Sequence, residues 1–325
     1  MLKLKLQEND SKRLNPKIKI SICQFNSYSS ISNNNNNKNE NNNKDLINLN
    51  LKRAQEFIIE ASKKGSSLII FPEYFLTGII NEDNQSDLVL REDESEQIIN
   101  DFKTLAIQYN IDIITGTMVA RESSQFDNEA LSASDPQPKY FNSAYYINKS
   151  GQIIGKYRKK NLWHSEKYLT PCTLDHQVFD AGGFRLGMLI CWDLAWPESF
   201  RELMSQNVDV IVIPSFWTLD EPLSPMRKHD PYGLAESCLI DSLAYARALE
   251  TESCVIFVNC AGRKEEGYLG RSSVTMPLKG HLFKLDDPSE RLETVEIDLS
   301  VLEDAKKVYK ISEEYPSKKN TQKTS

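Results

Sequence analysis

The sequence predicts an α/β fold built on buried sheets, and three observations predict it. Short apolar runs recur along the chain, at residues 17–25, 67–71, 111–118, 184–190, 208–214 and 254–260. Stretches with helical apolar spacing separate several of them, at 47–61, 98–109 and 233–250. No stretch of linker composition interrupts the alternation, so a single domain is expected over 17–300.

Taken in order, residues 1–16 are polar and expected as a flexible N-terminus. Residues 17–25 (KIKISICQF) alternate, with Ile18, Ile20 and Ile22 on one face of a strand. The Ser/Asn-rich tract 26–43, which includes Asn33 to Asn37, holds too little apolar surface to fold and is expected as a disordered insert. Ile47, Leu51, Ala54, Ile58 and Ala61 then form one helix face, closed by Gly65. The buried strand 67–71 ends directly on Pro72-Glu73. Ile98, Phe102, Leu105 and Tyr109 mark the next helix, 111–118 a strand and 121–139 a surface loop. Residues 141–147 and 152–157, split by Asn148-Lys-Ser-Gly151, read as a hairpin.

Residues 158–183 lack a regular pattern. The strand 184–190 follows, then Cys191, then a helix entered through Pro197 and running to Met204. Beyond it come the strand 208–214, the helix 233–250 and the strand 254–260, with shorter strands at 272–276, 281–285 and 293–298. The polar, Lys- and Ser-rich stretch 301–325 is expected as a C-terminal tail.

Composition narrows the function. Lys and Arg number 39 against 46 Asp and Glu, a net charge of −7 that does not favour nucleic acid or an anionic membrane surface. The start, Met1-Leu-Lys-Leu-Lys-Leu, lacks the continuous apolar core of a signal peptide, and no apolar run nears the roughly 20 residues of a membrane span. A cytoplasmic protein is expected. Six cysteines form no CxxC pair, so reduced thiols are expected, with Cys23, Cys238, Cys254 and Cys260 in apolar runs as core thiols. The four histidines, His164, His176, His229 and His281, have no metal-ligand spacing, and no metal site is expected.

Three residues share one context. Glu73, Lys159 and Cys191 each lie at or just past the end of an apolar strand. In an open α/β sheet such ends converge on one rim. For Cys191, position alone fits both a buried structural thiol and a nucleophile. A thiol, a carboxylate and an ammonium on one rim suffice for acyl transfer: nucleophile, proton carrier and stabiliser of the developing oxyanion. For the thiol to be a thiolate near neutral pH, Lys159 and the following helix start must lower its pKa from about 8.5.

Phe71-Pro72-Glu73, Tyr157-Arg158-Lys159-Lys160-Asn161-Leu162 and Ile190-Cys191-Trp192-Asp193 with Pro197-Glu198 resemble, in order and spacing, the three signature blocks of the nitrilase (carbon–nitrogen hydrolase) superfamily. Arg247-Ala248-Leu249-Glu250, Asn259 and the stretch from Gly270 to Pro277 resemble its later blocks, so the likeness spans about residues 17 to 298. The resemblance implies a four-layer α-β-β-α sandwich, no metal or organic cofactor, and a homodimer or higher homo-oligomer. It implies a catalytic triad of Glu73, Lys159 and Cys191, with Lys160 the fallback for the lysine. Glu166 matches a second glutamate of many members, and Trp192 and Trp217 are expected to line the substrate pocket. Asn161 stands where His is usual, which puts the support of that loop in question.

The reaction expected is hydrolysis of a small-molecule amide through a Cys thioester, with ammonia released. The alternatives are a nitrilase, an N-carbamoyl amidohydrolase or a catalytically silent scaffold. Trp192 after the nucleophile resembles nitrilases, whereas Asp193 resembles amidases such as the ω-amidase branch.

Overall fold

A computed structural model describes residues 17–28, 40–80, 88–121, 139–219 and 225–315. The expectations for 1–16, and for parts of the insert, of the 121–139 loop and of the C-terminal tail, fall outside these residues.

The first half of the chain builds one sheet and the helices on its outer face. Strand β1 (Lys17–Gln24) leads to helix α1 (Glu40–Lys63), β2 (Leu68–Ile70), α2 (Glu92–Tyr109), β3 (Asp112–Arg121) and the hairpin β4 (Tyr140–Ile147) and β5 (Ile153–Arg158). The second half supplies β6 (Val178–Asp180), β7 (Arg185–Met188), α3 (Pro197–Met204), β8 (Val210–Pro214), α4 (Pro225–His229), α5 (Leu234–Thr251) and β9 (Cys254–Val258). It closes with β10 (Ser273–Met276), β11 (Gly280–Lys284), β12 (Arg291–Asp298), α6 (Ser300–Tyr309) and α7 (Ile311–Glu314).

One sheet has the order β12-β1-β2-β3-β4-β5 and the other β11-β10-β9-β8-β7-β6. Strands β1, β2 and β3 pair in parallel, as do β7, β8 and β9, while the flanking strands pair antiparallel. The period-2 side-chain pattern explains how the layers stack. Ile20, Ile22, Leu68, Ile70 and Ile114 join the core shared with the second sheet, including Leu186, Met188 and Val210. Their alternates Cys23, Ile69 and Ile113 join a separate core with Ala54, Ile58 and Ala61 of α1 and Phe102 and Ala106 of α2. Phe200 and Leu203 of α3 and Ile240 and Ala248 of α5 cover the second sheet. The result is a four-layer α-β-β-α sandwich.

Several expectations change. Within the tract 26–43, residues 40–43 belong to α1, because a helix already nucleated and docked further along the chain propagates at little cost per added residue. Residues 26–28 are tied down as well: Asn50 accepts from the Tyr28 N–H and donates to the Tyr28 carbonyl, both at 2.9 Å. The tail expected from 301 is folded as far as residue 315. Leu299, Leu302 and Ala305 repeat every three residues among charged neighbours and are buried. The Ile311 N–H then donates to Glu252 at 2.7 Å. The irregular stretch 158–183 holds β6, which pairs with β7. Cys238, expected in the core, is exposed on α5.

No described helix is long and apolar enough to cross a membrane.

Candidate active site

The rim residues owe their positions to local backbone features. Glu73 sits in the turn after β2, and Tyr74 beyond it has φ +56°. Strand β3 passes so close to this turn that a Cβ on Gly116, itself at φ +72°, would lie 2.2 Å from the Pro72 carbonyl oxygen. Lys159 follows β5 and donates its N–H to the Asn142 carbonyl of β4 at 2.9 Å. Cys191, at φ +46°, opens the single 3₁₀ turn Cys191–Ala195 between β7 and α3. A left-handed non-glycine residue persists where its surroundings over-determine it, and such residues concentrate at functional sites.

The side chains converge. Lys159 Nζ lies 2.9 Å from Glu73 Oε1 and 2.7 Å from Glu166 Oε2. Cys191 lines the same cavity as Glu73 and Lys159. Glu73 also accepts from Asn142 Nδ2 at 2.8 Å and from the Phe216 N–H at 2.9 Å. Glu166 accepts from the Tyr74 hydroxyl and, at 2.7 Å, from the Trp163 N–H. Lys159 is 2 % exposed and Glu73 1 %. Lys160, by contrast, turns away to the Leu174 carbonyl at 3.2 Å.

Burial and charge separate the two carboxylates. Burial pushes Glu73 above the usual carboxylate range, and this outweighs the attraction of Lys159. Glu166 is buried too, but Lys159 and the hydrogen bonds from Tyr74 and Trp163 overcome that and hold it below. Burial works against the Lys159 charge, yet Glu166 first and Glu73 second keep it firmly protonated. Two carboxylates driven apart in this way are equipped for different chemistry, one to stay ionised beside a cation and the other to accept a proton more readily.

The thiol departs from the expectation. Burial, then the Glu73 charge, push Cys191 well above the ordinary thiol range, and the opposing pull of Lys159 does not compensate. The resting sulfur keeps its proton.

Asn161 supports the elbow under Cys191. Its backbone N–H and its side-chain amide both donate to Asp193 Oδ1, and the amide reaches Ser199 Oγ at 3.1 Å. Asp193 Oδ2 accepts from the Ile190 N–H at 2.9 Å and from the Tyr157 hydroxyl at 2.8 Å. Arg247, in the first of the later blocks, donates to the Leu194 carbonyl at 3.1 Å. Asn259, in the second, accepts from the Trp217 N–H and donates to its carbonyl, each at 2.8 Å.

The profile of the carbon-nitrogen hydrolase family matches residues 20–307. The chain belongs to that family. It is 29% identical over 253 residues to a nitrilase of Pyrococcus abyssi, covering 77% of this chain and 84% of the relative. It is 26% identical over 255 residues to the 2-oxoglutaramate amidase of Bacillus subtilis, covering 77% and 85%. Among solved structures, the carbon-nitrogen hydrolase of Helicobacter pylori superposes with a TM-score of 0.72 at 18% identity, covering 96% of this chain and 99% of the other, a likeness of fold.

In this carbon-nitrogen hydrolase, Glu73, Lys159, Glu166, Cys191, Trp192 and Trp217 all line one cavity of about 80 Å³. Tyr74, Trp163 and Phe216 line it too and are not evident from sequence patterns. Trp192 packs between Trp163 and Trp217, with ring centroids 4.4 and 5.4 Å away. Asn142 was missed as well, although a lone amide in the apolar run YFNSAYYI was a legible signal. Trp196 lies outside the cavity lining and is 44 % exposed. Among the described residues, no group of three or more His, Cys, Asp or Glu side chains could hold a metal ion.

Proposed function

We propose that the protein is an amidase whose nucleophile is Cys191, with Glu73 as proton carrier and Lys159 as stabiliser of negative charge. The observation that carries this is the buried Lys159–Glu73 ion pair, 2.9 Å apart, meeting Cys191 at the wall of one cavity.

As Cys191 Sγ attacks the amide carbon, its proton passes to Glu73 and the C–S bond forms. The carbonyl electrons move to oxygen, where the Lys159 ammonium and the Trp192 backbone N–H stabilise them. Glu73, readily protonated because of its burial, gives that proton to the leaving nitrogen. The C–N bond breaks and ammonia departs. A water then loses its proton to Glu73 and attacks the thioester, the C–S bond breaks, and Cys191 recovers its proton as the acid is released. Glu166 remains ionised throughout, holding Lys159 in place. Trp192 and Trp217 flank the bound substrate.

The relatives named as an amidase and a nitrilase support C–N chemistry at this site. A homodimer or higher homo-oligomer in the cytoplasm completes the reading. The exposed Trp196, Leu239 and Tyr245, on and just before helices of the outer layer, are suited to contact with a second copy.

Ammonia release from a panel of short amides tests the reading. The wild type should turn over at least one of them, and Cys191→Ala none. Undiminished release by Cys191→Ala removes the assignment.

A further inference from the structure

The cavity wall around Cys191 is made mostly of rings and aliphatic chains, among them Tyr74, Ile80, Trp163, Trp192, Phe216 and Trp217. Several of its donors are already committed. The Tyr74 hydroxyl donates to Glu166, and the Phe216 N–H donates to Glu73. The Trp217 indole N–H donates at 2.9 Å to Glu236, which is not part of the lining, so the indole presents carbon to the cavity.

The charge balance points the same way. Among the described lining residues Lys159 is the single cation, and it is held by Glu73 and Glu166 at 2.9 and 2.7 Å. His164 packs against Trp163, with ring centroids 4.2 Å apart, but it is exposed and outside the lining.

A substrate carboxylate entering this pocket would shed its water, find the one cation of the described lining already paired and face two carboxylates. An alkyl chain would meet aromatic faces, and an ammonium would meet those faces and the two negative charges. Building on the amidase reading above, we propose that the site takes short amides whose far end is uncharged or carries an ammonium, and rejects those whose far end carries a carboxylate. Half-buried Thr218, in the lining, is a position where an added cation would weaken that choice.

The test uses the full-length protein and three amides of matched length: pentanamide, glutaramate and 5-aminopentanamide. Ammonia release is read as kcat/KM. A site that leaves a charged group unpaired discriminates strongly, so pentanamide should exceed glutaramate by about 100-fold or more. The ammonium-bearing amide should stay within about tenfold of pentanamide, since cation–aromatic contacts offset part of its desolvation. Thr218→Arg should narrow the pentanamide–glutaramate gap by raising the glutaramate value. Glutaramate turned over as well as pentanamide by the wild type overturns the proposal and leaves the amidase reading standing. An ammonium-bearing amide rejected as strongly as glutaramate also overturns it, because the filter would then act on any charge. No ammonia from any of the three, with Cys191 unmodified, defeats the amidase reading and the proposal together.

Discussion

Asn161 reaches Asp193 twice, through its backbone N–H at 3.0 Å and its side-chain amide at 2.8 Å. Asp193 in turn accepts from the N–H of Ile190, the residue before the nucleophile position. The loop after Lys159 and the elbow of Cys191 are therefore fastened to one carboxylate. Asn161, the departure from the family pattern, fills the role with two donors.

Removing that fastening should loosen the elbow without emptying the cavity. Asn161→Ala leaves a buried carboxylate short of one donor, a loss of about 1–3 kcal/mol. Urea unfolding should show it, with kcat reduced more than KM changes, and Asn161→His should recover part of both. An Asn161→Ala protein of unchanged stability and kcat would mean the contact is incidental.

The opposite directions of the two carboxylates set a pH dependence. Glu73 must be ionised to take the thiol proton, and burial has raised its pKa above 4.5. The kcat/KM profile should therefore fall on acidification through a limb lying above that value. Glu166→Gln takes away a neighbouring negative charge that raises Glu73, so the limb should move to lower pH while the maximum rate drops. A limb that stays in place or moves up contradicts the assignment.

Thiol labelling separates two cysteines. Cys191 is buried and holds its proton, whereas Cys238 is exposed on α5. Limiting iodoacetamide near neutral pH should modify Cys238 first, as peptide mapping would reveal. Prior and complete modification of Cys191 would point to a resting thiolate.

The close pass of β3 against the Glu73 turn can be tested at Gly116. An alanine there meets the Pro72 carbonyl and an unfavourable φ, and conformational strain alone costs about 1–2 kcal/mol. Gly116→Ala should lose at least about 2 kcal/mol in urea unfolding and most of its turnover. Full activity would show that the turn tolerates displacement.

Much of this organisation was legible in the chain. Alternation at Ile20 and Ile22 announces a strand, and the apolar runs around Leu68 and Leu186 announce strands that lead into Glu73 and Cys191. Glu166 was marked by its match to a second glutamate of the family, and its pairing with Lys159 is seen only in the folded chain. The depth of Lys159 over Lys160 was harder to read, since adjacent lysines look alike until β5 gives each a direction. Asn142, Phe216 and Trp163 act through contacts between distant segments, which no local pattern encodes. Helix α6 was hidden because Leu299, Leu302 and Ala305 stand among charged residues that face solvent.

In the proposed reaction the Cys191 sulfur bonds to the substrate carbon. Intact-mass measurement of the protein quenched during turnover of a hydrolysed amide, followed by peptide mapping, addresses it most directly. The expected result is a species heavier by the mass of the amide less one ammonia, with the added mass on the Cys191 peptide. Turnover with no such species, in a protein whose Cys191→Ala variant still releases ammonia, would contradict it.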